Sequence, residues 1–234
     1  MSIEGLLVAV IPAYEAAPSV GEIVRRTIEQ NLEVIVVDDG SSDDTAAVAE
    51  AAGATVLSHD SNQGKGAALR TAFSRIAGRN FAGVVTLDAD GQHLPEEIQK
   101  LEQAWREGAD LVLGTRDHLF RDMSRVRQTS NSLSSQLISF AAGAQLSDVQ
   151  TGFRIYSRDL LLAVEFVGDG FEAESAVVVR AARQGFEISA VPVELGFADG
   201  RCTSHYRPLV DSLRIAGGVI RARLEKVPHS APVA

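Results

Sequence analysis

Short runs of β-branched, almost wholly apolar residues alternate with longer amphipathic segments through the first half of the chain, and no other feature restricts its folding more. The runs Leu6–Ile11, Glu33–Val37, Thr55–Leu57, Val84–Leu87 and Leu111–Gly114 predict strands. The segments between them predict helices over Val20–Gln30, Asp44–Ala52, Lys65–Ala77 and Glu96–Glu107. A strand that is apolar on both faces must be covered on both, and a helix between successive strands returns the chain so that they run parallel. The expectation is an α/β fold with a mostly parallel central sheet and helices on both faces. Ligands of such sheets sit beyond the carboxyl ends of the strands, so polar clusters at strand ends are where chemistry is expected.

The alternation stops near residue 115. A polar stretch, RDHLFRDMSRVRQTSN, leads to a predicted helix over Ser132–Ala142. Further strands are expected near Phe153–Tyr156 and Ile188–Val193, and helices near Glu172–Gln184 and Leu209–Leu224. No repeat or linker interrupts the chain, so residues 1–226 read as a single domain, its first half ending about residue 115, with a disordered tail over 227–234. The formal charge of −9 argues against a non-specific nucleic-acid binder. A single cysteine, Cys202, excludes an internal disulfide and a cysteine-based zinc site, and fits a reducing cytosol. The opening MSIEGLLVAVIPAY lacks a basic leader region and reads as a strand. No apolar run approaches the roughly 20 residues of a membrane span, so any membrane contact is expected at the surface.

Three strand ends carry polar clusters. In VIVVDDGSSDDT a buried strand meets Asp38 and Asp39, turns at Gly40 and enters a helix with Ser41 or Ser42 as its cap. A carboxylate there can accept hydrogen bonds from a ribose or base; a plain turn with a helix cap uses the same residues. SNQGKGAALRTA lacks the earlier glycine and the Ser or Thr after lysine that a Walker A loop requires, which leaves a glycine-rich helix start beside a nucleotide or a simple helix entry. VVTLDADGQH places Asp88 and Asp90 one residue apart after an apolar strand, where alternation would point them the same way and set their charges against each other. A hard divalent cation, Mg²⁺ or Mn²⁺, would resolve that repulsion, with Gln92 as a third oxygen ligand. His93 reads as a loop histidine without an assigned role.

The second half is richer in arginine. Arg116, Arg127, Arg154, Arg201 and Arg207 offer forks that match phosphate oxygens, although Arg154 can equally pair with Asp148. The last helix carries Leu209, Leu213, Ile215, Ala216, Ile220 and Leu224 beside Arg207, Arg214, Arg221 and Arg223. That pattern suits a helix on an anionic membrane surface and equally a helix packed on its own domain.

Taken in order, VIPAYE, VIVVDDGSSDDT, NQGKGAALRTA, VVTLDADGQHLPEEI, DLVLGTR, RQTSN, LSDVQTGFRIY, FEAES, VPVEL and SHYRPLVDSLRI resemble the family 2 glycosyltransferases of GT-A fold, most closely the polyprenyl-phosphate (dolichyl-phosphate) sugar transferase branch. The resemblance spans about residues 10 to 215. It implies a first half that binds a nucleotide sugar and a second half that faces the acceptor. Pro12, Ala13, Tyr14, Glu15, Val37 and Asp39 would bind the nucleoside. Lys65 would also line the nucleotide sugar, and Asp88, Ala89 and Asp90 would hold the diphosphate through the metal, with Asp88, Asp90 and Gln92 as its ligands. Arg116, Arg127, Arg201 and His205 would meet the acceptor or phosphate, and Asp90, Arg116 and Arg127 would be catalytic. Two positions depart from the family. PAYEA has Glu15 where P-x-Y-N-E has asparagine, and Ala16 where it has the acidic residue. DGRCTSHYRP has His205 in place of a lysine, a weaker and pH-dependent phosphate partner.

The implied reaction is a metal-dependent, inverting transfer of a hexose from a nucleotide diphosphate sugar to a polyprenyl phosphate, by a cytoplasmic protein peripheral to the inner face of the membrane. A phosphate acceptor is already anionic and needs no base. A hydroxyl acceptor does, and Glu172, Glu174 and Asp148 are the candidates. The alternatives are a glycosyltransferase acting on a glycan or small-molecule hydroxyl, a sugar nucleotidyltransferase, and a nucleotide-sugar-binding protein without turnover.

Overall fold

The computed structural model describes residues 6–115, 138–143, 149–196 and 208–225, with side chains in the last segment from residue 213 onward. Seven strands form its sheet: β1 (Leu6–Ala13), β2 (Glu33–Asp38), β3 (Thr55–Ser58), β4 (Phe81–Thr86), β5 (Leu111–Thr115), β6 (Arg154–Ser157) and β7 (Ile188–Pro192). Between and after them lie α1 (Ala17–Ile28), α2 (Thr45–Ala51), α3 (Lys65–Ala77), α4 (Ile98–Arg106), α5 (Arg158–Ala163), α6 (Glu172–Arg183) and α7 (Pro208–Leu224). The strand order is β3-β2-β1-β4-β6-β5-β7. Every neighbouring pair is parallel except those of β6, which runs antiparallel to both β4 and β5.

Alternation along β1 explains why both faces are covered. Leu7, Ala9 and Ile11 pack with Val20, Ile23 and Val24 of α1 and with Ile98, Leu101 and Trp105 of α4. Val8 and Val10 face the other way, onto Ala68, Leu69, Ala72 and Ile76 of α3. A third cluster joins Leu111 and Leu113 of β5 to Val177 and Val179 of α6 and to Ile215, Val219 and Ala222 of α7. The sheet thus takes strands from both halves of the chain.

Boundaries move where local chemistry overrides periodicity. Helix α1 begins at Ala17, ahead of the expected Val20, because Pro18 fits a first turn that has no use for its missing N–H. The start expected at Glu96 becomes a 3₁₀ turn over Pro95–Glu97, and α4 proper begins at Ile98. Strand β4 ends at Thr86, so Asp88 and Asp90 lie beyond it in a turn. The alternation argument for their common direction therefore does not apply. Of the helix expected over 132–142, residues 138–142 are described and helical.

The glycines at the start of α3, Gly64 and Gly66, serve close packing. The N–H groups of Gly66 and Ala67 donate to the Asp169 carbonyl at 2.7 and 3.2 Å, so a protein oxygen occupies the helix start. A Cβ on Gly66 would lie 2.6 Å from the Gly168 carbonyl and 2.9 Å from that of Gly170. Alanine favours a helix over glycine by about 1 kcal/mol, but backbone oxygens cannot rotate aside, and overpacking costs roughly 1–3 kcal/mol. Gly66→Ala is expected to lower the urea midpoint of unfolding; an unchanged or raised midpoint would show that the approach is looser than described.

Candidate active site at the carboxyl edge of the sheet

Strand order reverses between β1 and β4, since β2 lies on one side of β1 and β4 on the other. Such a switch point opens a crevice at the carboxyl edge, and three loops line it. Pro12 pairs with Val37 and Ala13 with Asp38 at the ends of β1 and β2. The two following turns are joined by hydrogen bonds. The N–H groups of Glu15, Ala16 and Ala17 donate to Ser41 Oγ, Thr45 Oγ1 and Asp43 Oδ2 at 2.9, 2.8 and 3.1 Å. Glu15 accepts in return from the Ser42 N–H and hydroxyl at 2.8 and 2.9 Å. Ser41 and Ser42 thus tie two loops together instead of capping α2, and Asp43 takes the Thr45 N–H at 3.0 Å. Glu15 sits in the left-handed region at φ 52, a conformation easier for asparagine than for glutamate.

Asp39 is buried and fixes the entry to α3. It accepts from the N–H groups of Gln63 and Gly64 at 2.9 and 2.7 Å and lies 2.7 Å from His59 Nδ1. His59 Nε2 is in turn 2.9 Å from Thr71 Oγ1.

The third loop carries the acidic pair. Ser19 of α1 donates to the Ala89 carbonyl at 2.6 Å, and the Asp88 N–H donates to His93 Nδ1 at 3.1 Å. His93 is itself buried and stacks on Phe153, with ring centres 5.2 Å apart. Asp90 accepts from the Gln92 N–H at 3.0 Å and from its side-chain Nε2 at 2.8 Å. The Asp88 carboxylate faces Lys65, whose Nζ lies 2.5 Å from Asp88 Oδ1 and 3.0 Å from Glu174 Oε2. Burial works against the lysine's charge, but the two carboxylates outweigh it and raise its pKa above the ordinary lysine value. The direct charge conflict expected between Asp88 and Asp90 is therefore relieved by a lysine on one and an amide on the other.

The donor set fits a hard cation. Among the described residues no group of three or more His, Cys, Asp or Glu side chains gathers as a metal cage. Mg²⁺ is ordinarily held by one or two carboxylates plus substrate phosphates and water, and Asp88 and Asp90 can supply the carboxylates. Gln92 as a further ligand would have to turn its amide, since its nitrogen now faces Asp90.

Antiparallel β6 brings the QTGFR segment to this same edge, with Arg154 paired to Thr86 in the sheet. Thr86 Oγ1 donates to the Gly152 carbonyl at 2.8 Å. A Cβ on Gly152 would lie 2.5 Å from both Asp88 Oδ1 and Lys65 Nζ, so glycine is what lets this loop close over the ion pair. Arg154, expected as a phosphate fork, is fully buried. It donates to the carbonyls of Thr151, Glu174 and Val149, each at 2.8 Å, and holds those segments together. Of the candidate bases, Glu172 accepts from the N–H groups of Asp169 and Gly170, both at 3.1 Å, and Glu174 is buried against Lys65. Arg116, Arg127, Asp148, Arg201, His205 and Arg207 lie outside the described residues. Sequence reading missed the parts played by Gly152, His93, Ser19 and His59, because each depends on a contact with a distant strand end. Only the recurrence of Gly152 and Phe153 in a family motif gave any signal.

This constellation on this sheet defines a GT-A fold. The family model described as "Glycosyl transferase family 2" matches residues 8–164, and the chain belongs to that family. The chain is 29% identical to polyprenol monophosphomannose synthase of Mycolicibacterium smegmatis over 93% of its own length and 88% of that protein. It is 31% identical to undecaprenyl-phosphate 4-deoxy-4-formamido-L-arabinose transferase of Klebsiella pneumoniae over 82% of its own length, but spans 61% of that protein. It therefore resembles the polyprenyl-phosphate sugar transferase branch. Among solved structures, glucosyl-3-phosphoglycerate synthase from Mycobacterium tuberculosis, crystallised with Mn²⁺, UDP and phosphoglyceric acid, superposes with a TM-score of 0.74 at 22% identity, over 97% of this chain and 80% of that one.

Arg154→Lys tests the reassignment of that arginine. A lysine cannot reach three carbonyls with a planar fork, and buried acceptors left unpaired cost about 1–3 kcal/mol each. The variant should lose several kcal/mol of unfolding free energy in urea. Native stability combined with weakened phosphate binding would restore the arginine to the ligand.

Proposed function

We propose that the protein transfers a hexose from a nucleotide diphosphate sugar to a polyprenyl phosphate, with inversion at the anomeric carbon. The observation that carries the acceptor assignment concerns the candidate bases. Of the two described candidates, Glu172 is engaged by two backbone N–H groups, and Glu174 is buried beside Lys65 with its side chain 5% exposed; Asp148 lies outside the described residues. A phosphate monoester needs no deprotonation, so its oxygen can attack directly. The names of two relatives, which carry polyprenol and undecaprenyl phosphate, support the same acceptor class.

In this reading Pro12, Ala13, Tyr14, Glu15, Val37 and Asp39 receive the nucleoside at the ends of β1 and β2. Asp88, Ala89 and Asp90 lie under the diphosphate, with Lys65 beside them. Mg²⁺ or Mn²⁺ on Asp88 and Asp90, with Gln92 nearby, supplies charge neutralisation for the departing diphosphate. The acceptor oxygen forms a bond to the anomeric carbon as that carbon's bond to the diphosphate breaks, and a nucleoside diphosphate leaves. Arg116 and Arg127 face the acceptor or the sugar phosphate, with Arg201 and His205 on the acceptor side. Residues 1–226 act as one domain, divided near residue 115 between donor and acceptor.

A lipid acceptor calls for a surface contact in place of a span, and among the described residues no helix is long and apolar enough to cross a membrane. Helix α7 divides its apolar residues. Ile215, Val219 and Ala222 are buried against the domain, which corrects the single stripe expected from the sequence. Leu213, Ile220 and Leu224 are 76%, 53% and 78% exposed, beside exposed Arg214, Arg221 and Arg223. We assign this outer face to the anionic inner leaflet, by apolar insertion with arginine attraction to the headgroups.

Two measurements test the reading. Radiolabelled sugar should partition into an organic phase with polyprenyl phosphate. Asp90→Asn should abolish that transfer while costing about 1 kcal/mol of stability, the value of one altered hydrogen bond. Label only on a water-soluble hydroxyl, release of pyrophosphate, or full turnover in excess EDTA would overturn it. Sedimentation with anionic liposomes should weaken as salt rises and fall further in Leu213→Ser/Leu224→Ser; salt-independent or absent binding would remove α7 from the membrane.

A further inference from the structure

The ion cluster under Gly152 contains one group that the proposed reaction leaves unexplained. Glu174 is buried, its side chain 5% exposed, and only one of its oxygens, Oε2, meets Lys65. Oε1 is buried with no hydrogen-bond partner among the described residues. A buried carboxylate oxygen without a donor is destabilising, and Arg154, the nearest guanidinium by contact, donates to the Glu174 backbone carbonyl instead. The fold therefore maintains unused acceptor capacity beside a lysine.

The other end of that lysine lies where a metal would come. Asp88 is the outer carboxylate, its side chain 30% exposed, and Glu174 the inner one. An ammonium 2.5 Å from Asp88 Oδ1 occupies a position that a divalent ion on Asp88 would contest, because like charges at such spacing repel strongly in a partly buried site. Helix α3 cannot retreat as a body, since its first turn is bound to the Asp169 carbonyl. A Cβ on Gly152 would lie 2.5 Å from Lys65 Nζ, so the ammonium cannot move toward that loop. The lysine side chain can yield only by changing its partner.

Resting on the metal reading above, we infer that Lys65 is a resident cation that competes with the divalent ion for Asp88, and that Glu174 is the positioning residue that receives Lys65 when the ion arrives. The spare Oε1 is the acceptor that completes this move. Without donor, Lys65 neutralises Asp88 and ion binding is weak. The negative diphosphate of the donor tips the competition, so ion and donor bind together.

The test is Mn²⁺ affinity without nucleotide, measured by calorimetry and by the spin resonance of free Mn²⁺, with circular dichroism melts to check folding. Lys65→Met removes the competitor and should tighten Mn²⁺ binding by roughly tenfold, the order of effect of one adjacent charge on a partly buried carboxylate. Glu174→Gln should weaken it severalfold in the parent and leave it unchanged in Lys65→Met, because Glu174 acts through the lysine. Glu174→Asp keeps the charge but withdraws it from reach, so it should also weaken binding; it decides the matter if the glutamine variant does not fold. Unchanged affinity in Lys65→Met overturns the competition. Equal weakening by Glu174→Gln with and without Lys65, or unaltered affinity in Glu174→Asp, overturns the role of Glu174. Failure of all the proteins to bind Mn²⁺ even with UDP present would remove the metal from Asp88 and Asp90, and this inference with it.

Discussion

The contact between Lys65, Asp88 and Glu174 is where three otherwise separate parts of the chain meet. Lysine comes from the first turn of α3, aspartate from beyond β4 and glutamate from the first turn of α6. Each is held from behind by backbone bonds: α3 by the Asp169 carbonyl, the Asp88 N–H by His93, and the Glu174 carbonyl by Arg154. Removing one charge from such a group leaves the others buried and unbalanced, a larger penalty than any surface ion pair imposes. The loop after β4 and the second half of the chain are therefore coupled through charge as well as through packing.

That coupling depends on the direction of one strand. Because β6 runs against its neighbours, its amino-terminal end lies at the carboxyl edge of β4, and QTGFR reaches the acidic turn. A parallel β6 would have carried Arg154 and Gly152 to the opposite edge. The buried guanidinium then works as a structural staple, since its donors satisfy carbonyls that would otherwise be orphaned.

The same reasoning distinguishes the carboxylates by what holds them. Glu15, Asp39, Asp43 and Glu172 all engage backbone N–H groups and hold loops in place. Asp88 instead meets the Lys65 side chain, and Asp90 the N–H and side-chain amide of Gln92, within its own turn and away from the helix starts. In the proposed reaction, where a metal would enter and a diphosphate leave, such replaceable partners serve better than a rigid cage.

Local pattern located the strands and the longer helices, because burial on two faces leaves an unbroken apolar run and α3 from Lys65 to Ala77 keeps its helical spacing throughout; it missed α5 (Arg158–Ala163), which is too short to show a helical period. It also located the acidic turn, since polar residues after a buried strand have nowhere to go but the sheet's edge. Pairing lay beyond it. Nothing near Arg154 in the chain tells that its strand inserts between β4 and β5 reversed, or that Gly152 closes over Asp88, since both depend on contacts between residues far apart in sequence. Alternation likewise gave Ile215 and Ile220 the same apolar value, and only the docking of α7 on α6 buried the first and exposed the second.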